Sequence, residues 1–167
     1  MHLQFQPLST TTSTSPTCNG VCNGSITATP SGGTSPYTYT LQSTGAPSTS
    51  GPSVNASFTN LCAGSYTLTV KDNFNCTVNN VINITQPAAL TAVSSVTNET
   101  CDYLNNGASS VTPSGGTGPY TYTWSPGNQT TQTITNQTSG TYTVLIKDAK
   151  GCTTTKVNTI TEPSTLT

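Results

Sequence analysis

The sequence predicts an all-β protein built from two tandem, disulfide-stapled β-sandwich repeats. Three observations carry this. The phrase TPSGGTSPYTYT (Thr29 to Thr40) returns as TPSGGTGPYTYT (Thr112 to Thr123) with a single change, from Ser35 to Gly118. Short apolar/polar alternations recur between turn-forming clusters along the whole chain. Six cysteines are spread over a chain with little apolar material.

A repeat of about 80 residues within 167 points to two domains. Each lies near the size at which a single core is only marginally stable. Hydrophobic residues make up 31% of the chain. Val, Ile, Leu and Phe together fall below the roughly 20% that usually marks disorder. Disorder also calls for high net charge, however, and the formal charge is -1 with 5% charged residues. Thr and Ser, about a third of the chain, take up the difference; Thr and Tyr suit a pleated, half-buried surface. Thin β cores follow, and thin cores call for staples.

Taken in order, the chain opens on HLQFQP (His2 to Pro7), which has the form of the closing strand of a preceding unit. The Thr-rich run STTTSTSPT follows, a candidate for glycan decoration. Residues 1–16 are therefore assigned to an N-terminal strand and linker, 17–87 to the first repeat, 88–163 to the second, and 164–167 to the start of another linker or strand. In the first repeat, Gly32 and Gly33 allow a turn that other residues would strain. Pro36 then sets the entry to a strand with Tyr37 and Tyr39 toward the core. The first repeat carries seven extra residues, placed most simply between Ser43 and Pro52, and a surface loop tolerates such an insertion. GSYTLTVKDNFNCT (Gly64 to Thr77) supplies a strand and a turn, and Gln86-Pro87 closes the repeat.

The second repeat follows the same plan. Tyr120, Tyr122 and Trp124 share one face of a strand, with Thr121 and Thr123 on the other. Tyr142, Val144 and Ile146 alternate with Thr141, Thr143 and Leu145 in GTYTVLIKDAKGCT (Gly140 to Thr153), and Glu162-Pro163 ends the unit. No stretch has helical periodicity. Six or seven strands in about 75 residues, with turn signals every 8–12, fit an immunoglobulin-like sandwich.

The cysteines constrain one another. Cys101 and Cys152 of the second copy align with Cys18 and Cys76 of the first, so Cys18–Cys76 and Cys101–Cys152 are expected as the shared staple. Cys22 and Cys62 align with Asn105 and Thr138; both are missing together from the second copy, as a bonded pair would be. No CxxC occurs and the one histidine is His2, so disulfides outweigh metal or redox chemistry and imply an oxidising compartment.

Several functions are disfavoured. Four lysines and no arginine leave no footprint for phosphates, so nucleic acid is not an expected partner. No apolar run reaches the roughly 18 residues of a membrane span. The start lacks the basic region and apolar core of a signal peptide. Acid–base catalysis needs titratable groups within reach of one another. The carboxylates are Asp72, Glu99, Asp102, Asp148 and Glu162; Asp72 and Asp148 occupy one turn position in two copies and read as turn formers. No usable base accompanies the many hydroxyls, so neither an enzyme nor a cofactor or metal is expected. Seven N-x-[ST] acceptor motifs, at Asn23, Asn55, Asn75, Asn83, Asn98, Asn128 and Asn136, barely exceed chance for so Asn-, Ser- and Thr-rich a chain.

Together, CNG…GSITATPSGGTSPYTYT…LCAGSYTLTVKDNFNCT…ITQP and its partner from Cys101 to Pro163 resemble SprB-type repeats, modules of very large cell-surface adhesins of Bacteroidota gliding systems. The resemblance implies an extracellular, adhesive or fibre-forming role at the cell surface, with neighbouring copies head to tail as partners and surface glycans as candidate ligands. A carbohydrate-binding module of a secreted protein is the alternative, and would need a cluster of exposed aromatics. The first copy departs from the second in having Leu41 at the position of Trp124 and in its extra cysteine pair.

Overall fold

A computed structural model of the chain describes residues 8–43, 56–101 and 104–163. It divides into two units, 1–86 and 87–167. The first contains β1 (Leu8–Thr14), β2 (Gly24–Ser31), β3 (Thr38–Ser43), β4 (Ser57–Leu61), β5 (Gly64–Lys71) and β6 (Thr77–Ile84). Two antiparallel three-stranded sheets form, β1-β2-β4 and β3-β5-β6. The third strand thus crosses to the opposite sheet and the fourth returns, the connection that defines an immunoglobulin-like sandwich.

Alternation in the sequence becomes burial in the sandwich. Along β5, Tyr66, Leu68 and Val70 point inward while Ser65, Thr67 and Thr69 are half-exposed. Opposite them β2 contributes Ile26 and Ala28, and β4 contributes Phe58 and Leu61. Tyr39 and Leu41 of β3 and Ile82 and Ile84 of β6 complete the core. Each such Leu, Ile or Phe is worth about 1.5–3 kcal/mol on full burial. A one-residue slip of β5 would send all three inward side chains to water.

The second unit repeats the plan with β7 (Thr91–Thr97), β8 (Gly107–Ser114), β9 (Thr121–Ser125), β10 (Thr133–Gln137), β11 (Gly140–Lys147) and β12 (Thr153–Ile160). Its sheets are β7-β8-β10 and β9-β11-β12. Trp124 lies fully buried at the centre, where the first unit has the equally buried Leu41. Its indole N–H is satisfied by the Thr131 carbonyl at 2.9 Å, so the larger ring brings no orphaned donor inside.

One boundary moves. The sequence places residues 1–16 in a strand and linker ahead of the first repeat, but β1 pairs with β2 of that repeat along its whole length, from Leu8 opposite Ser31 to Thr14 opposite Ser25. The Thr/Ser run is the module's first strand. Thr is β-branched and fits a strand without contributing apolar bulk, and only Ser9 of this strand is buried. His2 to Pro7, the stretch from 44 to 55 with Asn55, Asp102, and residues 164–167 lie outside the described residues.

Candidate functional site: the two poles of each module

Each sandwich has two ends, and the residues shared by the copies gather there. One end, the turn pole, holds the β2–β3 and β5–β6 connections of the first module. The other, the loop pole, holds the β1–β2 loop, the β4–β5 corner and the end of β6. The ladders fix this: Lys71 faces Thr77 at the turn pole and Gly64 faces Ile84 at the loop pole. In the second module Lys147 faces Thr153 and Gly140 faces Ile160 in the same way.

At the turn pole a buried aspartate organises two loops. Asp148 Oδ1 accepts the backbone N–H of Lys150 at 2.9 Å and of Cys152 at 2.8 Å, while Oδ2 accepts that of Thr117 at 2.8 Å. Asp72 takes Phe74, Cys76 and Thr34 in the corresponding way. The sequence reading of both as turn formers captures only half of this arrangement. The second oxygen reaches across to the SGGT turn and ties it to the β5–β6 or β11–β12 turn. Burial pushes the Asp148 carboxyl up, but N–H groups of Thr117, Cys152, Lys150 and Gly151 outweigh it and hold the group below the usual carboxylate range.

The SGGT turn has a second anchor. Gly115 and Gly116 have φ of +74° and +63°, and a Cβ on Gly116 would stand 2.7 Å from Asp148 Oδ2. Only glycine serves there. The Tyr120 hydroxyl donates to the Gly115 carbonyl at 2.7 Å, as Tyr37 does to Gly32. Tyr37, Tyr120 and Tyr122 are therefore not the fully inward core residues expected from alternation. They are half-buried against the core, while Tyr39 is the one member of the YTYT pairs that is fully enclosed.

The loop pole is built differently. Asn23 accepts the Thr17 N–H and donates to the Thr17 hydroxyl, at 3.0 and 2.9 Å. Asn106 holds Thr100 in the same two-bond grip, at 3.2 and 2.7 Å. The motif at Asn23, read as a glycan acceptor, is thus also a loop clamp, and its signal was the Asn-Gly found in both copies. Nearby, Tyr66 and Tyr142 donate from their hydroxyls to the carbonyls of Cys62 and Thr138, four residues upstream. That is the tyrosine corner of immunoglobulin-like sandwiches. Glu99, buried in the second module's loop, accepts the Ser139 N–H through Oε2, while buried Pro16 occupies the position in the first.

Cys22 and Cys62 form a disulfide within the loop pole. The other two expected pairings fail. Cys18 lies in the β1–β2 loop, which is joined to the chain leaving β6 through Ser15–Thr85 and Gly20–Gln86 hydrogen bonds. Cys76 lies at the opposite pole, in the Asp72 turn. The eight residues of β5 between the poles span roughly 25 Å at about 3.3 Å each. A disulfide needs Cα atoms within about 7 Å. The same distance separates Cys101 from Cys152, and Cys101 carries a free, exposed thiol. Alignment showed which cysteines correspond but not which are neighbours.

The acceptor asparagines Asn23, Asn75, Asn83, Asn98, Asn128 and Asn136 are all exposed. The Asn98 side chain accepts the Thr161 N–H. Among the described residues no three His, Cys, Asp or Glu side chains gather in a way that could hold a metal ion. Among the same residues, no helix is long and apolar enough to cross a membrane. Among the described residues, Phe74 is the one aromatic of the large hydrophobic side chains that are exposed.

Comparison with known proteins agrees with this anatomy. The chain is similar to three N-terminal domains of the bacteriophage RB49 Highly Immunogenic Outer Capsid protein, with a TM-score of 0.51 and 20% identity, covering 93% of this chain and 58% of that one. A weaker likeness, with a TM-score of 0.36 and 17% identity, extends to an amphioxus IgVJ-C2 molecule, covering 96% of this chain and 98% of that one. No curated protein sequence matches. The family described as SprB repeat matches twice, over residues 10–46 and 93–129. Both stretches run from the first strand of a module past the SGGT turn and its tyrosines. The SprB repeat family thus matches this chain at two places, each over the leading half of an immunoglobulin-like sandwich.

Proposed function

We propose that this chain is a segment of an extracellular structural array, in which rigid modules space, extend and present an adhesive surface. The observation that carries this reading is the placement of each module's entry and exit. β1 begins opposite Ser31 at the turn pole, and β6 ends opposite Gly64 at the loop pole. β7 and β12 do the same in the second module. The chain enters each sandwich at one end and leaves at the other, as a linear array requires.

That layout has a mechanical consequence. Tension on Leu8 pulls β1 lengthwise along β2, so their ladder is loaded in shear, and its seven register positions resist together. The tyrosine corners and aspartate clamps brace the two ends. The family match, the paired modules and the disulfide support a surface location, since disulfides persist in oxidising compartments. Sugar stacking finds less support, because the YTYT tyrosines are half-buried or enclosed.

Pulling a single molecule from its two ends under reducing conditions tests the spacer reading. Two discrete unfolding events are expected, each at a force typical of shear. Smooth extension without discrete events would overturn it.

A further inference from the structure

Within each module the first and last strands lie against each other at neighbouring edges of the two sheets, β1 with β6 and β7 with β12. The ladders give their directions. β1 runs from the turn pole, where Leu8 faces Ser31, toward the loop pole, and β6 runs the same way from Thr77 to Ile84. β7 and β12 repeat this in the second module. The two strands of each seam are therefore parallel, and they are the strands by which the chain enters and leaves.

That direction decides how the seam is loaded. Tension draws the entering strand out past the turn pole and the leaving strand out past the loop pole. The two slide in opposite senses, so bonds that cross the seam are sheared together instead of opening one at a time.

The modules fasten this seam at different heights. In the first, the side-chain amide of Asn80 on β6 donates to the hydroxyl of Ser9 on β1. The aligned residues of the second module are Lys156 and Ala92, and an alanine side chain can neither donate nor accept. The second module is fastened at its exit instead. Thr161, just past β12, is gripped on both backbone groups. Its N–H donates to the Asn98 side chain at 3.1 Å, and its carbonyl accepts the Glu99 N–H at 3.0 Å. Pro16 holds the place of Glu99 in the first module, and proline has no N–H to give. There the exit is tied through side chains, Ser15 to Thr85 at 3.4 Å and Gln86 to the Gly20 N–H at 2.8 Å.

We propose that the parallel seam carries the force in each module, held in the first by the Asn80–Ser9 bond and in the second by the grip of Asn98 and Glu99 on Thr161. This rests on the spacer reading and deepens it by naming the residues that bear tension. The β1–β2 and β7–β8 ladders match position for position, so the fastenings are what distinguish the two modules under load.

Pulling the full chain from its two ends at constant force, under reducing conditions, tests this. Asn80→Ala should speed one of the two unfolding events about fivefold to tenfold, the effect of losing one hydrogen bond that holds until the transition. Asn98→Ala should speed the other event to a similar degree, and the double variant should speed both. Glu99→Pro should act more strongly than Glu99→Ala, which keeps the N–H. Gln132→Ala is the control: it deletes a bond to the Val111 carbonyl at 2.8 Å, on the side of β8 away from β7. It should lower stability in urea and leave both rates under force unchanged. If Glu99→Pro fails to fold, the Asn80 and Asn98 variants still decide the matter. Two discrete events whose rates do not respond to either variant, or respond equally to Gln132→Ala, would overturn this proposal alone. Smooth extension of the unaltered chain would defeat the spacer reading, and this inference with it.

Discussion

In the core of the second module, the side-chain amide of Asn158 donates to the hydroxyl of Ser109 at 2.7 Å, both residues being buried. The aligned positions of the first module are Ile82 and Ile26, also both buried. One copy fills this place with an apolar pair and the other with a hydrogen-bonded pair. Neither copy mixes the two.

That exchange makes a sharp energetic prediction. Ser109→Ile alone leaves the Asn158 amide buried without its partner, and Asn158→Ile alone strands the Ser109 hydroxyl. Each should destabilise the second module by about 1–3 kcal/mol. The double variant, which recreates the first module's pair, should recover most of the loss. Trp124, the single tryptophan, reports the second module alone, so urea titration followed by its fluorescence supplies the double-mutant cycle. Additive losses in the double variant would contradict the coupling.

The Asp148 clamp should make the second module acid-sensitive. Its pKa is held below the ordinary value in the folded state, so protonation favours the unfolded chain. The stabilisation is fully present above the unfolded pKa near about 3.9 and is lost as pH falls through the folded value. Asp148→Asn removes the charge and presents an amide where N–H donors converge. It should lower the melting temperature at neutral pH and flatten this part of the acid limb. Thermal melts by Trp124 fluorescence across pH 2–7 would show an unchanged limb if the clamp were unimportant.

The tyrosine corners should be separately measurable. Tyr66→Phe and Tyr142→Phe keep the buried ring and delete only the bond to the Cys62 or Thr138 carbonyl. A loss of about 0.5–1.5 kcal/mol is expected from each, in its own module. Calorimetry of both variants checks this, and an effect on neither would remove the corner from the account of stability.

The Cys22–Cys62 bridge closes a sequence separation of 40 residues, which is worth about 4 kcal/mol in the chain-entropy model. A Cys22→Ser, Cys62→Ser double variant should lower the first module's calorimetric transition accordingly. In reduced single-molecule extension, the same 40 residues should add roughly 140 Å of contour length at about 3.5 Å each. An unchanged extension would mean that the bond does not form in solution.

Much of this protein can be read from its sequence by elementary rules. The period of two in Tyr142, Val144 and Ile146 is a strand buried on one face because successive side chains must point oppositely, and the structure buries all three. The repeated SGGT and Asp turns locate the ends of strands, since glycine and aspartate relieve turn geometry locally. The repeat itself gives the module count. Low complexity hid β1, because a run of Thr and Ser carries no apolar stripe and is recognised as a strand only when β2 lies beside it. Tertiary structure also decided what Tyr37 and Tyr120 do. Alternation predicts a side but not depth, and at the edge of a sandwich a tyrosine can pack its ring while its hydroxyl holds a turn. The cysteines show the limit most plainly. Aligned positions say that Cys18 and Cys101 are equivalent, a local property of the repeat. Whether Cys18 can meet Cys76 depends on which end of a roughly 25 Å strand each occupies, and only the crossing of β3 between sheets and the return of β4 set those ends.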